Sequence, residues 1–424
     1  MKVFIRRLDT EWPSWVAVSF VALLPFGRWS EIPLSLFALC LPFLWRDTHH
    51  RQAIRKAAVL VVPLFLCFWV PMVLSSIDSM LPQKSWSQSA AALRFLAAAL
   101  AMAALLHTPS ARWRVLRWTS YLLLFWAADG FVQLLLGSDV FGIAMHPDRL
   151  NAMFIGKYQF YGPTLAMLSP LLLEYARREW PAWAWALGFT LILGAVMISG
   201  MRSGWLSMAI VLATYFWLML QRENRDLRRT MLTVPVLAVL IAAGSYFASP
   251  LFQQRLQLTR AVYEGTASSI DYASSDRLPI FVTALEMYRH HPVNGVGVRA
   301  FPAAYLEYAR PGDIHLAKSG GKSGATHAHN ILLEVAADTG TIGLVGLVLG
   351  LLLAIRDWRN SSPALRQDAF PYVLALALIL FPLNSHFALY GTYTSSLAWF
   401  LVGLWAATLR DSLAAPVAAE RSDH

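Results

Sequence analysis

Charge is scarce in this chain. Only 14% of its 424 residues are Asp, Glu, Lys or Arg, where a soluble domain carries about 25%. Cysteine is scarcer still. Cys40 and Cys67 are the only two, and both lie inside apolar runs. That excludes a disulfide framework and a cysteine-based zinc site. Several catalytic signatures are also missing: a phosphate loop ending in Lys-Ser/Thr, a His-Glu-x-x-His pair, and a serine nucleophile elbow. No Asp-x-Asp occurs anywhere. A transferase built on this chain therefore lacks the aspartates that commonly hold a metal against a sugar diphosphate. It needs another cation for its leaving group, and no metal or cofactor is expected.

What fills the chain instead is apolar sequence: 57% of residues are hydrophobic and the mean hydropathy is +0.49. About twelve runs approach the roughly 17–25 residues that span a bilayer. They lie near 13–27, 31–45, 57–76, 87–106, 118–136, 159–175, 181–199, 204–220, 231–248, 330–354, 369–386 and 394–409. The fold class expected is all-α, a polytopic membrane helix bundle formed by one domain over 1–424. The basic N-terminal stretch reads as the start of a retained first span, since no Ala-x-Ala cleavage site follows it. The net charge of +10 then reflects arginine-rich cytoplasmic loops, and no nucleic-acid partner is expected.

The basic residues alternate. Arg6 and Arg7; Arg46, Arg51 and Arg55; Arg112, Arg114 and Arg117; Arg177 and Arg178; Arg222, Arg225 and Arg228; Arg356, Arg359 and Arg366 fall on every second connection. The short connections between them carry few: Arg28, Lys84, Arg149, Lys157 and Arg202. The positive-inside rule puts both termini in the cytoplasm and the long segment 249–329, between the ninth and tenth spans, outside. A loop well beyond about 12–15 residues is functional or carries its own structure. Here the apolar spacing from Asp276 to Arg289 predicts one helix, and Ala300–Tyr308 a second, as a cap lying on the membrane surface. The glycine-rich stretch from Pro311 to Ala325 reads as a mobile flap.

Two charges stand out inside spans, Arg94 and Asp129, at matched depth, and they are expected to pair. Gly340, Gly343, Gly346 and Gly350 recur at steps of three, three and four in the tenth span, where small residues admit a close neighbour.

Three outer residues can carry chemistry. Arg202 lies in the short turn Ser199-Gly-Met-Arg-Ser-Gly204, and Arg277 in Ser274-Ser-Asp-Arg277. A guanidinium binds phosphate oxygens bidentately and stays charged; the plain alternative is contact with lipid headgroups. His329, in Thr326-His-Ala-His-Asn330, stands where the outer segment meets the tenth span. Its unperturbed pKa near 6.5 suits a base at neutral pH. The alternative is a hydrogen bond at a helix start, for which His327 is as good a candidate.

His329-Asn330, nine residues, then Gly340-x-x-Gly343 resembles the signature of the O-antigen ligase and polymerase superfamily. Ser-Gly-Met-Arg202-Ser-Gly-Trp is similar to its arginine turn. Asp276-Arg277-Leu with His291-Pro-Val-Asn-Gly-Val-Gly297 resembles its loop signature. The resemblance to the O-antigen ligase family covers most of the chain. It implies a GT-C-like glycosyltransferase of the bacterial inner membrane with its active site facing the periplasm. The donor implied is O-antigen linked to undecaprenyl diphosphate, the acceptor lipid A–core oligosaccharide, with membrane lipids around both. His329 would be catalytic and Arg202 and Arg277 would bind the diphosphate, with no metal. Alternatives are an O-antigen polymerase, whose Arg-x10-Gly motif is absent here; a protein O-oligosaccharyltransferase; and, from another class, a transporter of lipid-linked glycan.

Overall fold

The computed structural model describes residues 2–147, 149–156, 158–220, 276–384 and 387–409, together with five residue pairs between 240 and 257. The described residues are helical, with no strand beyond two isolated bridges. In chain order the helices are α1 (Lys2–Ala22), α2 (Glu31–Leu44), α3 (Thr48–Ser75), α4 (Pro82–Leu105), α5 (Pro109–Leu136), α6 (Tyr161–Glu179), α7 (Ala182–Ile198) and α8 (Arg202–Leu220). After the outer segment's α9 (Leu278–His290), α10 (Phe301–Tyr308) and α11 (Ile314–Lys318) come α12 (Ile331–Asn360), α13 (Pro363–Ile379) and α14 (Thr392–Thr408). Eleven of these match the apolar runs expected from sequence; the run 231–248 lies largely outside the described residues. Four of them, α3, α4, α5 and α12, are long and apolar enough to cross a membrane.

Local sequence sets the helix starts. The Asp47 carboxylate accepts from His50 N at 2.9 Å to cap α3, and Thr108 caps α5 with Pro109 in its first turn. Asn330 Oδ1 accepts from Leu333 N at 3.1 Å to cap α12. Each satisfies an amide that the first turn leaves without a helical partner. Gly137, with φ +77°, ends α5 in the left-handed region a glycine adopts without cost.

Two packed groups form the bundle. In one, α4 packs against α2, α3 and α14, and α12 lies along α3. In the other, α6 sits among α5, α7, α8 and α13. The pairing of α13 with α14 joins them. Large apolar side chains remain on the outside, among them Leu39 and Phe43 on α2 and Val345, Val348, Leu349 and Leu352 on α12. Their helical spacing makes stripes that suit lipid rather than water.

This packing corrects the expected ion pair. Arg94 Nη2 donates to Glu31 Oε2 at 2.8 Å, and its guanidinium lies over the Phe95 ring. The partner is on α2 because α2, not α5, packs against α4. Asp129 is buried and accepts from Val140 N at 2.9 Å, a loop amide just past its own helix.

The glycines of α12 divide between two jobs. A Cβ at Gly346 would meet Cys67 O at 2.4 Å, so this face does seat α3. Gly340 does something else. At φ +64° and ψ −158° it breaks the helix, and a Cβ there would meet the Val293 carbonyl at 2.4 Å. A loop of the outer segment docks against that break.

Candidate active site at the head of α12

The docked loop is Pro292–Val298, which contains most of the loop motif His291–Gly297. Thr341 N and Ile342 N donate to Pro292 O and Val293 O at 2.8 and 3.1 Å. In return, Val296 N and Gly297 N donate to Ala337 O and Asp338 O at 2.8 and 3.1 Å. Amides and carbonyls that Gly340 releases from the helix are thus taken up by the loop. The far side of the loop is held by the end of α3 and the start of α4. Met80 N donates to Val296 O at 3.0 Å, Ser85 Oγ to Val298 O at 2.7 Å, and Asn294 Nδ2 to Asp78 Oδ1 at 2.5 Å. The loop motif and the Gly340 break are therefore two sides of one backbone junction.

The junction carries a small apolar core. Ala328, Ala325 and Ala337 are buried with Val296, Ala300, Phe301, Ala304 and Tyr305. Ala328 pointing inward leaves His327 and His329 to share the opposite side. Their rings lie 3.9 Å apart between centroids. His329 has φ +53°, a conformation a non-glycine residue rarely holds. The capped start of α12 directly after it and the buried Ala328 before it fix that geometry.

Arg277 immediately precedes α9, and its carbonyl accepts from Phe281 N at 3.0 Å. The neighbouring Asp276 is committed elsewhere. His315 Nε2 donates to its carbonyl at 2.7 Å, and Lys318 Nζ lies 3.1 Å from its carboxylate. Those partners belong to α11, so the stretch expected to be a flap is folded in its first half. Asp313 caps α11 and accepts from Tyr305 OH at 3.0 Å. The hydrogen bond and the carboxylate's charge, together with burial as the leading cause, hold the Tyr305 phenol well above its usual range.

The histidines and arginines meet electrostatically. Burial pushes His327 well below its ordinary pKa, and the charges of His329, Arg277 and Arg299 act in the same direction. The structure thus brings Arg277, His327 and His329 together and adds Arg299. Arg299 is exposed, has φ +66°, and is held through its backbone N, which donates to Asp338 Oδ2 at 3.3 Å.

Arg202 stands on the same end of the bundle, as the first residue of α8 after the left-handed Gly200. Its turn packs on the start of α6, where a Cβ at Gly204 would come within 3.2 Å of the Gly162–Pro163 backbone. Arg149 Nη1 reaches Met201 Sδ, 2.7 Å away, and so puts a second guanidinium beside this turn. Lys157 lies outside the described residues. A link runs from here to α12. Thr164 Oγ1 is 2.8 Å from Tyr393 OH, Phe160 stacks on Phe387, and the amides of Leu389 and Tyr390 donate to the Glu334 carboxylate at 2.9 and 3.2 Å. Tyr390 OH also lies 2.9 Å from Thr339 Oγ1.

Glu334 and Asp338 escaped the sequence reading, which marked only two charges inside spans. Both are buried one and two turns into α12. A helical i, i+4 pair of carboxylates in an apolar run was the signal available. Glu334 ties down the 387–390 loop, and Asp338 holds Arg299.

No curated protein matches the chain. The sequence model of the family described as O-antigen ligase matches residues 187–348. That stretch contains the Arg202 turn, Arg277, the docked loop, both histidines and the Gly340 break. Together with its apolar helices, it marks a membrane protein that carries a domain of the O-antigen ligase family.

Proposed function

We propose that this protein is an O-antigen ligase. In this reading it moves polysaccharide from undecaprenyl diphosphate to lipid A–core oligosaccharide, by one inverting displacement and without a metal. The observation that carries the proposal is that His329, Arg277 and Arg299 all act on His327 at the head of α12, with the two imidazole rings 3.9 Å apart. The chain is taken to span the inner membrane about twelve times, with both termini cytoplasmic and this cluster in the periplasm.

The chemistry follows from the residue types. Diphosphate is a good leaving group and needs no general acid. As the bond from the anomeric carbon to the diphosphate oxygen breaks, negative charge grows on the diphosphate. Arg202 and Arg277 neutralise it, an electrostatic role that fixed cations fill without reorganising. His329 takes the proton of the acceptor hydroxyl as its oxygen attacks the anomeric carbon from the other face. His327, kept neutral by burial and its cationic neighbours, supports the His329 ring without adding charge.

The test separates binding from transfer. His329→Ala is expected to lower transfer about 10²–10⁴-fold, the usual worth of a general base, and to leave donor binding nearly intact. Arg202→Ala and Arg277→Ala are expected to weaken both. Lys at either position rescues poorly, because it keeps the charge and loses the fork. Full transfer by His329→Ala contradicts the proposal.

A further inference from the structure

At the opposite end of α3 lies a second cluster of chemistry-bearing side chains. Asp47, His49 and His50 each place one donor atom within 4.8 Å of the others. His107, from the connection between α4 and α5, joins them: its ring centroid is 5.7 Å from that of His49, which is also 5.7 Å from that of His50. We propose that His49, His50 and His107 bind a divalent transition-metal ion of the zinc class, with Asp47 orienting the His50 ring.

Three observations carry this. The first is ligand type. Three imidazoles, with water to complete the shell, are a donor set suited to zinc, cobalt and nickel rather than to magnesium or calcium. The second is spacing. With metal–nitrogen bonds of about 2.0–2.1 Å, two imidazoles on one tetrahedral ion have ring centres roughly 5–6 Å apart, and His49 stands at that separation from both its neighbours. The third is tautomer. His50 Nδ1 lies 2.6 Å from Asp47 Oδ2, and His107 Nδ1 donates to Ala104 O at 2.7 Å. Each bond holds the ring proton on Nδ1 and leaves the lone pair on Nε2. A carboxylate or carbonyl behind the ring is the usual way a metal-ligating histidine is oriented.

Asp47 and His49 are exposed and His50 is half-buried, so an ion reaches this cluster from solvent. The ion would clasp the first turn of α3 to the α4–α5 connection. It would sit the length of α3 from His329, about 40 Å at 1.5 Å per residue. Its role is therefore structural, separate from transfer.

The experiment uses the full chain, purified without a histidine tag in detergent and titrated with Co2+. The expected result is one Co2+ per chain, with the visible absorption of a four-coordinate ion, displaced by Zn2+. Asp47→Asn keeps a good helix cap and is expected to weaken binding about 10–100-fold by loosening the His50 orientation. His49→Ala with His107→Ala is expected to abolish the absorption while the far-ultraviolet circular dichroism stays unchanged. Absorption that persists undiminished in this double variant, or wild-type protein that shows none, overturns the proposal.

Discussion

His327 shows how burial and neighbouring charge act on a single side chain. Its Nε2 is shut off from solvent, and burial, the neighbouring His329 ring and the Arg277 and Arg299 guanidiniums disfavour its charged form. The sign of the consequence is fixed. Above the ordinary histidine pKa of about 6.5, folded and unfolded chains both carry a neutral ring and His327 contributes nothing to pH dependence. As pH falls through that value the unfolded chain takes up a proton that the folded chain resists, so stability is lost, by at most about 1.4 kcal/mol per pH unit. Thermal midpoints measured from pH 8 to pH 5.5 should fall more steeply for the wild type than for His327→Asn. Equal slopes would show that His327 is not held neutral. At this scale the two histidines look alike in the sequence, and only the resemblance sets His329 apart, because Asn330 and the Gly340 pair follow it at the signature's distances. Arg299 carried no such mark. It reaches the cluster only because the Pro292–Val298 loop docks and Asp338 takes its amide. Glu334 was equally silent, since its partners Leu389 and Tyr390 lie more than fifty positions on.

Among the elements, α12 concentrates the argument. Its break at Gly340 exists because the docked loop replaces the lost helical bonds, and only a residue without Cβ fits there. Gly340→Ala meets both a positive φ and the Val293 carbonyl, and should cost about 1–3 kcal/mol or more. Gly350→Ala meets only Cys67 Cβ at an ordinary 3.5 Å and should leave the thermal midpoint almost unmoved. Comparable losses in the two would mean that the glycines act merely as a smooth helix face. That was the reading their spacing suggested, because a kink with external partners has no periodicity of its own. The ion pair between α2 and α4 belongs to the same scale. Arg94→Ala and Glu31→Ala each strand a partner in a low-dielectric setting. A cycle with the double variant should return a coupling of about 0.5–3 kcal/mol, whereas strictly additive losses in thermal unfolding would dissolve the pair. Asp129 looked equally plausible from depth alone; helix neighbours, which sequence does not encode locally, decided between them.

For the whole molecule, hydropathy gave the described helices and their order well. Eleven described helices coincide with the apolar runs, and the residues of the site gather at one end of the bundle. Tertiary chemistry was the less legible part: which amides a released helix turn finds, and which acid holds which loop. The central claim is about the molecule's work, that it passes a glycan from lipid diphosphate to lipid A–core with arginine and histidine alone. The direct measurement is transfer by the purified chain in lipid nanodiscs, given an undecaprenyl diphosphate-linked O-antigen and lipid A–core, with and without EDTA. The account predicts ligated lipid A–core at the same rate in both, even if chelation empties a metal site at the far end of α3. No ligated product, or a product lost in EDTA and restored by a divalent ion, would contradict it.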